Sequence, residues 1–196
     1  MATTAHMAEQ QRPRKRADAQ RNRETVIETA ITVLAERPQA SMRDIADASG
    51  LGRTTVYRHF ATRDDLVRAL FERVVAESRD TIRVAAEDGG TAQEVIRRLA
   101  RELVSLSSRY RFLEHHRSTV GGRHVPTEED SQPFLEWFTA AQKRGELRKD
   151  LPVHYMLTTL RGAAYATGDD LAAERLTADE ASKLMGDVLV SAFGAR

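Results

Sequence analysis

The chain has 196 residues, 41% of them hydrophobic and 30% charged, and its 30 Lys and Arg nearly balance 29 Asp and Glu. That length and apolar share suit one small and one larger packed module. There is no Cys, no secretory hydrophobic stretch and no apolar run near the ~20 residues of a membrane helix, so a soluble, cytoplasmic protein with no membrane partner and no disulfide framework is expected. The charge is divided: residues 1–60 carry ten Lys and Arg against seven Asp and Glu, and the remainder twenty against twenty-two. The amino-terminal end is therefore the one suited to a polyanion.

Residues 1–10, MATTAHMAEQ, show no periodicity, and Arg12, Arg14, Lys15, Arg16, Arg21 and Arg23 follow. Residues 1–19 read as a disordered basic arm, and such an arm in front of a DNA reader suits phosphate or the minor groove. A helix over about 20–36 carries Val26, Ile27, Ala30, Ile31, Val33 and Leu34 at helical spacing and ends at Pro38. Ser41 with Asp44 three residues on caps a second helix, whose buried side is Ile45, Ala46 and Ala48, and Gly50 breaks it. After Gly50-Leu51-Gly52, the segment 53–60 places Val56 and Phe60 on one face and turns Arg53, Thr54, Thr55, Tyr57, Arg58 and His59 outward. Two short helices around a glycine turn, the second bearing hydroxyls and arginine at its start, read either as an ordinary surface turn between two core helices or as a helix-turn-helix DNA reader whose side chains suit base edges and phosphates of the major groove. Residues 20–61 form this domain.

Thr62-Arg63-Asp64-Asp65 is a capping box with the shorter acid, opening a helix to about residue 87 through Leu66, Leu70, Val74 and Val75. Gly89-Gly90 stops it, and Thr91-Ala92-Gln93-Glu94 caps the next, followed by a short helix over about 110–117. Residues 121–126 are the clearest loop, beyond which a helix over about 128–144 carries Phe134, Leu135, Trp137 and Phe138. Pro152 suits the first turn of a helix that stops near Gly168, and Thr177 with Glu180 caps the last one. Nine helices and no competing strand make the expected fold all-α: a three-helix headpiece, then a larger helical domain over 62–196.

The segment GLGRTTVYRHFATRDDL, residues 50–66, resembles the signature of the tetracycline-repressor (TetR) family. The resemblance covers roughly residues 20–70 by motif and the remainder by helical layout alone. It places Arg43, Thr54, Thr55, Tyr57 and His59 where the family contacts DNA, with Tyr57 and His59 on phosphates and Arg53 or Thr54 nearer the bases. Arg58 and Arg63 complete the expected DNA-binding set. The family often has Ser at Gly52 and Gly at Thr54, so here the cap loses its hydroxyl.

The same resemblance implies a small-molecule effector inside the larger domain, and Phe112, His116, Phe134, Trp137, Tyr155, Met156, Arg161 and Tyr165 are its expected lining, although such side chains also suit a plain core. It implies a homodimer in which the helices at 152–167 and 177–194 meet their copies through small residues and through Leu184, Val188 and Leu189, the alternative being that both helices are simply core. A two-fold protein asks for a palindromic double-stranded operator.

No metal or other cofactor is expected: His115, His116, His124 and His154 lack any ligand spacing, and His115 and His116 point about 100° apart on a helix. No nucleophile elbow, P-loop or GxGxxG occurs, and Glu128-Glu129-Asp130 reads as a helix cap, so no enzyme is expected. The expected function is a ligand-released transcriptional repressor. A DNA-binding activator or architectural protein, or a helical small-molecule binder or enzyme, are the alternatives.

Overall fold

The structure is a computed structural model that describes residues 2–116 and 127–195, with the side chains of 2–15 and 114–116 outside the description. Among the described residues it contains eight α-helices: α1 (Ala2–Glu36), α2 (Met42–Ser49), α3 (Arg53–His59), α4 (Arg63–Glu87), α5 (Ala92–Arg109), α6 (Glu128–Lys143), α7 (Val153–Ala172) and α8 (Ala178–Phe193), with a 3-10 turn at Arg111–His116. The fold is all-α, and the one strand-like feature described is an antiparallel bridge between Leu147 and Gly194. None of the described helices is long and apolar enough to cross a membrane.

Two compact units are present, one built on Met1–Leu70 and the other on Phe71–Glu114 with Arg123–Arg196. The first unit takes in the first turns of α4, where Leu66, Val67, Ala69 and Leu70 are buried. Also buried in the first unit are Val26, Ile27, Ala30, Ile31 and Leu34 of α1, Ile45 and Ala46 of α2, and Val56 and Phe60. Arg23 of α1 lies over the Phe60 ring at 5.4 Å. Helix α1 runs back to Ala2 where an irregular arm was expected: Ala, Gln, Glu, Lys and Arg dominate residues 2–19 and all favour helix.

The second unit is centred on α5, which packs most extensively along α8 and also meets α7. Its core includes Ile96, Leu99, Leu103, Phe138, Met156, Leu160, Met185, Leu189 and Phe193. Phe138 stands edge-on to Phe193 with centroids 5.6 Å apart. Capping boxes at Ser41/Asp44, Thr91/Glu94 and Thr177/Glu180 begin α2, α5 and α8 as the sequence implies, and Thr127/Asp130 does the same for α6. At the other end of α4, Arg98 of α5 donates to the carbonyls of Ala85 and Gly89, supplying donors to groups a helix terminus leaves unpaired.

Helix α7 passes the expected stop at Gly168 and continues to Ala172. Gly168 is helical and buried, inside α7 where a terminator was read. The chain turns instead at Glu174, at φ 55°, with Glu174 N–H donating to Leu171 O and Arg175 N–H to Asp170 O.

Candidate nucleic-acid interface

Gly50 ends α2 in the left-handed region at φ 69°, a conformation that a Cβ disfavours, and this sets the turn that delivers α3. Gly52 is the N-cap of α3 and offers no side-chain acceptor, in keeping with the missing hydroxyl noted in the sequence. Val56 and Phe60 are buried and fix the inner face of α3. The outer face then follows from 3.6-residue periodicity: Arg53, Thr54, Tyr57 and Arg58 are exposed, and Thr55 and His59 are half-buried. Tyr57 keeps 43% of its surface in solvent, unusual for a large aromatic with no neighbour to cover it.

Arg43 on α2 is exposed beside this face. It lies 3.7 Å from Asp47, one turn along α2, and the same Asp47 carboxylate accepts from Arg53 Nε at 3.3 Å and from its terminal nitrogen at 3.2 Å. Asp47 was not foreseen; its i, i+4 spacing from Arg43 was the only local signal.

Three residues have surroundings that the sequence did not show. Ala48 is exposed, since the core stripe of α2 is Met42, Ile45 and Ala46. Arg63, expected on DNA, donates to the carbonyls of Pro38 (2.9 Å) and Ala40, bolting the start of α4 to the loop after α1. His59 has its Nε2 buried without a hydrogen-bond partner, which leaves only Nδ1 for a phosphate contact. Burial, then the cations of Arg58 and Arg23, hold its pKa below the ordinary imidazole value, so it is neutral at pH 7. Of the basic arm, Arg12, Arg14 and Lys15 have side chains outside the described residues, and Arg16 and Arg21 are exposed.

The expected effector residues separate into three kinds of site in the second unit. Phe112, Phe134 and Met156 are buried, and Trp137 packs on the same core with its ring edge-on to Phe138 at 5.3 Å. Arg161 and Tyr165 are half-buried on α7, and Arg161 donates to the hydroxyl of buried Ser131 at 2.8 Å. Desolvation lowers the Arg161 pKa from its ordinary value. Tyr155, expected on a cavity wall, has 56% of its surface in solvent, because the register of α7 turns Met156 and Leu160 inward and Tyr155 out. The side chain of His116 and the 121–126 loop lie outside the described residues.

Sequence comparison now has a geometry to meet. Residues 26–70 match the sequence model for bacterial regulatory proteins of the tetR family, the segment that forms the core of the first unit and carries α3. Over that segment the chain is similar to the TetR family. The HTH-type transcriptional repressor LfrR of Mycolicibacterium smegmatis is 34% identical over 101 residues, 52% of this chain and 53% of LfrR, so the alignment spans about half of that relative. The HTH-type transcriptional regulator NfxB of Pseudomonas aeruginosa is 28% identical over 141 residues, covering 65% of this chain and 71% of NfxB. In structure, LfrR in complex with proflavine superposes with a TM-score of 0.63 at 24% identity over 88% of this chain and 96% of that one, a likeness of fold.

Proposed function

We propose that this chain is a TetR-family protein, a sequence-specific DNA-binding transcriptional regulator acting as a cytoplasmic homodimeric repressor released from a palindromic operator by a small molecule. The observation that carries this reading is the outer face of α3: donors at Arg53, Thr54, Tyr57 and Arg58 exposed on a helix whose inner face, Val56 with the adjoining Phe60, is buried. An α-helix about 10–12 Å across with its side chains fits a major groove about 12 Å wide. Arg53 and Tyr57, one turn apart, then reach a base edge and a backbone phosphate about 6 Å along the same helix face.

Dimerisation is supported by an exposed apolar face. Leu184 and Val188 on α8 are 50% and 58% exposed, and Tyr155, Gly162 and Ala166 of α7 are exposed as well. Leu189, expected on the same stripe, is fully buried, since it follows Ala181 and Met185 on the core side of α8. A two-fold dimer reads half-sites about 34–36 Å apart, which is why the operator is palindromic in this reading.

The solved complex of LfrR with proflavine supports a small-molecule effector here too. Release follows as a population shift: an effector that favours one placement of α4, the helix that runs from the first unit into the second, alters the spacing of the two recognition helices. Within the second unit, α4 is anchored by Glu77, which accepts from Tyr110 Oη at 2.9 Å and from Arg109 at 3.1 Å. The testing experiment is a binding screen against the DNA upstream of the protein's own gene, repeated with a compound library for release. Selective, salt-sensitive binding supports the reading; equal affinity for every duplex contradicts it.

A further inference from the structure

We infer that Asp47 is a specificity-determining positioning residue, which withholds Arg53 and Arg43 from the DNA backbone and yields Arg53 only to a matching base. The inference rests on the DNA-binding reading above. Asp47 is exposed on α2, yet its carboxylate is shared: Arg53 approaches with Nε and a terminal nitrogen at 3.2–3.3 Å, and Arg43 with Nε at 3.7 Å. One acid therefore sits between two cations from two different helices, beside the exposed donors of α3.

An ion pair this open contributes little to folding, since both partners keep more than half of their side-chain surface in water. Its effect falls on binding. The guanidinium is held in one orientation, so less rotamer freedom is lost when the planar fork meets a ligand. The same pair must be broken or shared before Arg53 reaches anything else. A phosphate is an anion that takes the same fork bidentately, so it must displace the Asp47 carboxylate against their mutual repulsion, whereas the neutral O6 and N7 acceptors of a guanine edge take Arg53 while Asp47 still balances its charge. Asp47 thus weakens the sequence-independent contribution of Arg53 more than the sequence-dependent one, and its own charge opposes a misplaced phosphate. Asp44, the neighbouring acid, does not share this role: it is engaged by the Ser41 hydroxyl and N–H at the start of α2.

The test compares Asp47→Asn, Asp47→Glu, Arg53→Ala and the Asp47→Asn/Arg53→Ala double variant, by fluorescence anisotropy at several salt concentrations. The probes are a duplex enriched on wild-type protein from a random library and a random-sequence duplex of the same length. Asp47→Asn should raise affinity for the random duplex about 2–5-fold, the worth of an exposed pair, raise affinity for the enriched duplex less, and steepen the salt slope by up to about one phosphate contact. In the Arg53→Ala background the change in discrimination should vanish, and Asp47→Glu should retain wild-type discrimination. An effect of Asp47→Asn that persists without Arg53 shows simple loss of negative charge and overturns the inference. An unchanged ratio of the two affinities in Asp47→Asn, with wild-type thermal unfolding, also overturns it while leaving the DNA-binding reading intact. Failure to enrich any duplex on wild-type protein sinks that reading, and this inference with it.

Discussion

Removing one oxygen from Tyr110 tests the anchor of α4 within the second unit. The ring is almost wholly buried, its hydroxyl donates to Glu77 Oε1 at 2.9 Å, and the Arg109 guanidinium lies over the ring at 5.3 Å. Glu77 also accepts from Arg73 Nε at 2.8 Å and from Arg109 at 3.1 Å. A hydrogen bond to a charged group is worth about 1.5–3 kcal/mol, but Glu77 keeps two guanidinium donors when the phenol is lost, so no acceptor is orphaned and Tyr110→Phe should cost about 1–1.5 kcal/mol. Tyr110→Ala also loses the ring and leaves a cavity, about 3–5 kcal/mol. Burial first, and donation to Glu77 second, raise the Tyr110 pKa, so the neutral donor persists at every ordinary pH. The assay is urea unfolding followed by the emission of Trp137, the sole tryptophan, which lies in the same unit. With a slope of about 2 kcal/mol per molar, Tyr110→Phe should lower the midpoint by about 0.5–0.75 M. A midpoint unchanged within about 0.1 M, alongside a large loss in Tyr110→Ala, would show that the hydroxyl is idle and that Glu77 does not hold α4 through it.

On α8, Val188→Glu should give a folded monomer by sedimentation with operator affinity reduced at least about tenfold, whereas Leu189→Ala should cost about 2–5 kcal/mol of stability with dimerisation intact; the reverse pattern would place the interface elsewhere. Tyr57→Ala should weaken binding to enriched and random duplexes alike, because a phosphate contact carries no sequence information, and a selective loss on one duplex would make Tyr57 a base reader. Acid should melt the protein early: hydroxyl and N–H donors from Ser41, Thr62, Thr91 and Thr177 hold Asp44, Asp65, Glu94 and Glu180 below the usual carboxylate range. Their contribution is present above the unfolded carboxylate pKa near 4 and disappears as pH falls through the folded values, so the unfolding temperature should drop below about pH 4.5 and drop less in Asp44→Asn, as calorimetry from pH 7 to 3 would show.

Local chemistry was readable in the sequence and long-range pairing was not. The boxes at Ser41, Thr62, Thr91 and Thr177 each rest on residues three apart, and the inner face of α3 rests on Val56 and Phe60, four apart. The hydrogen bonds of Arg63 were not legible because its acceptors, the carbonyls of Pro38 and Ala40, are more than twenty residues away and are set by the turn after α1. Gly168 read as a stop because a glycine lowers helix propensity locally, yet α7 carries it as a buried helical residue and runs on to Ala172. Tyr155 and Leu189 lie on broad apolar helices, where one step of 100° decides between core and surface. Asp47 was legible only in part, since its spacing to Arg43 is local but its stronger partner, Arg53, crosses the turn.

The central claim is that the exposed face of α3 reads DNA by sequence. Its most direct measurement is the ratio of affinities for a duplex enriched on the protein and a random duplex of equal length, for wild type and for Arg53→Ala, across about 50–200 mM salt. The account predicts a wild-type ratio of at least about 10³ and a loss of about 5–150-fold of that ratio in Arg53→Ala, the fold equivalent of about 1–3 kcal/mol for one base contact. A wild-type ratio near one, or a ratio untouched by Arg53→Ala and by Thr54→Ala together, would contradict it.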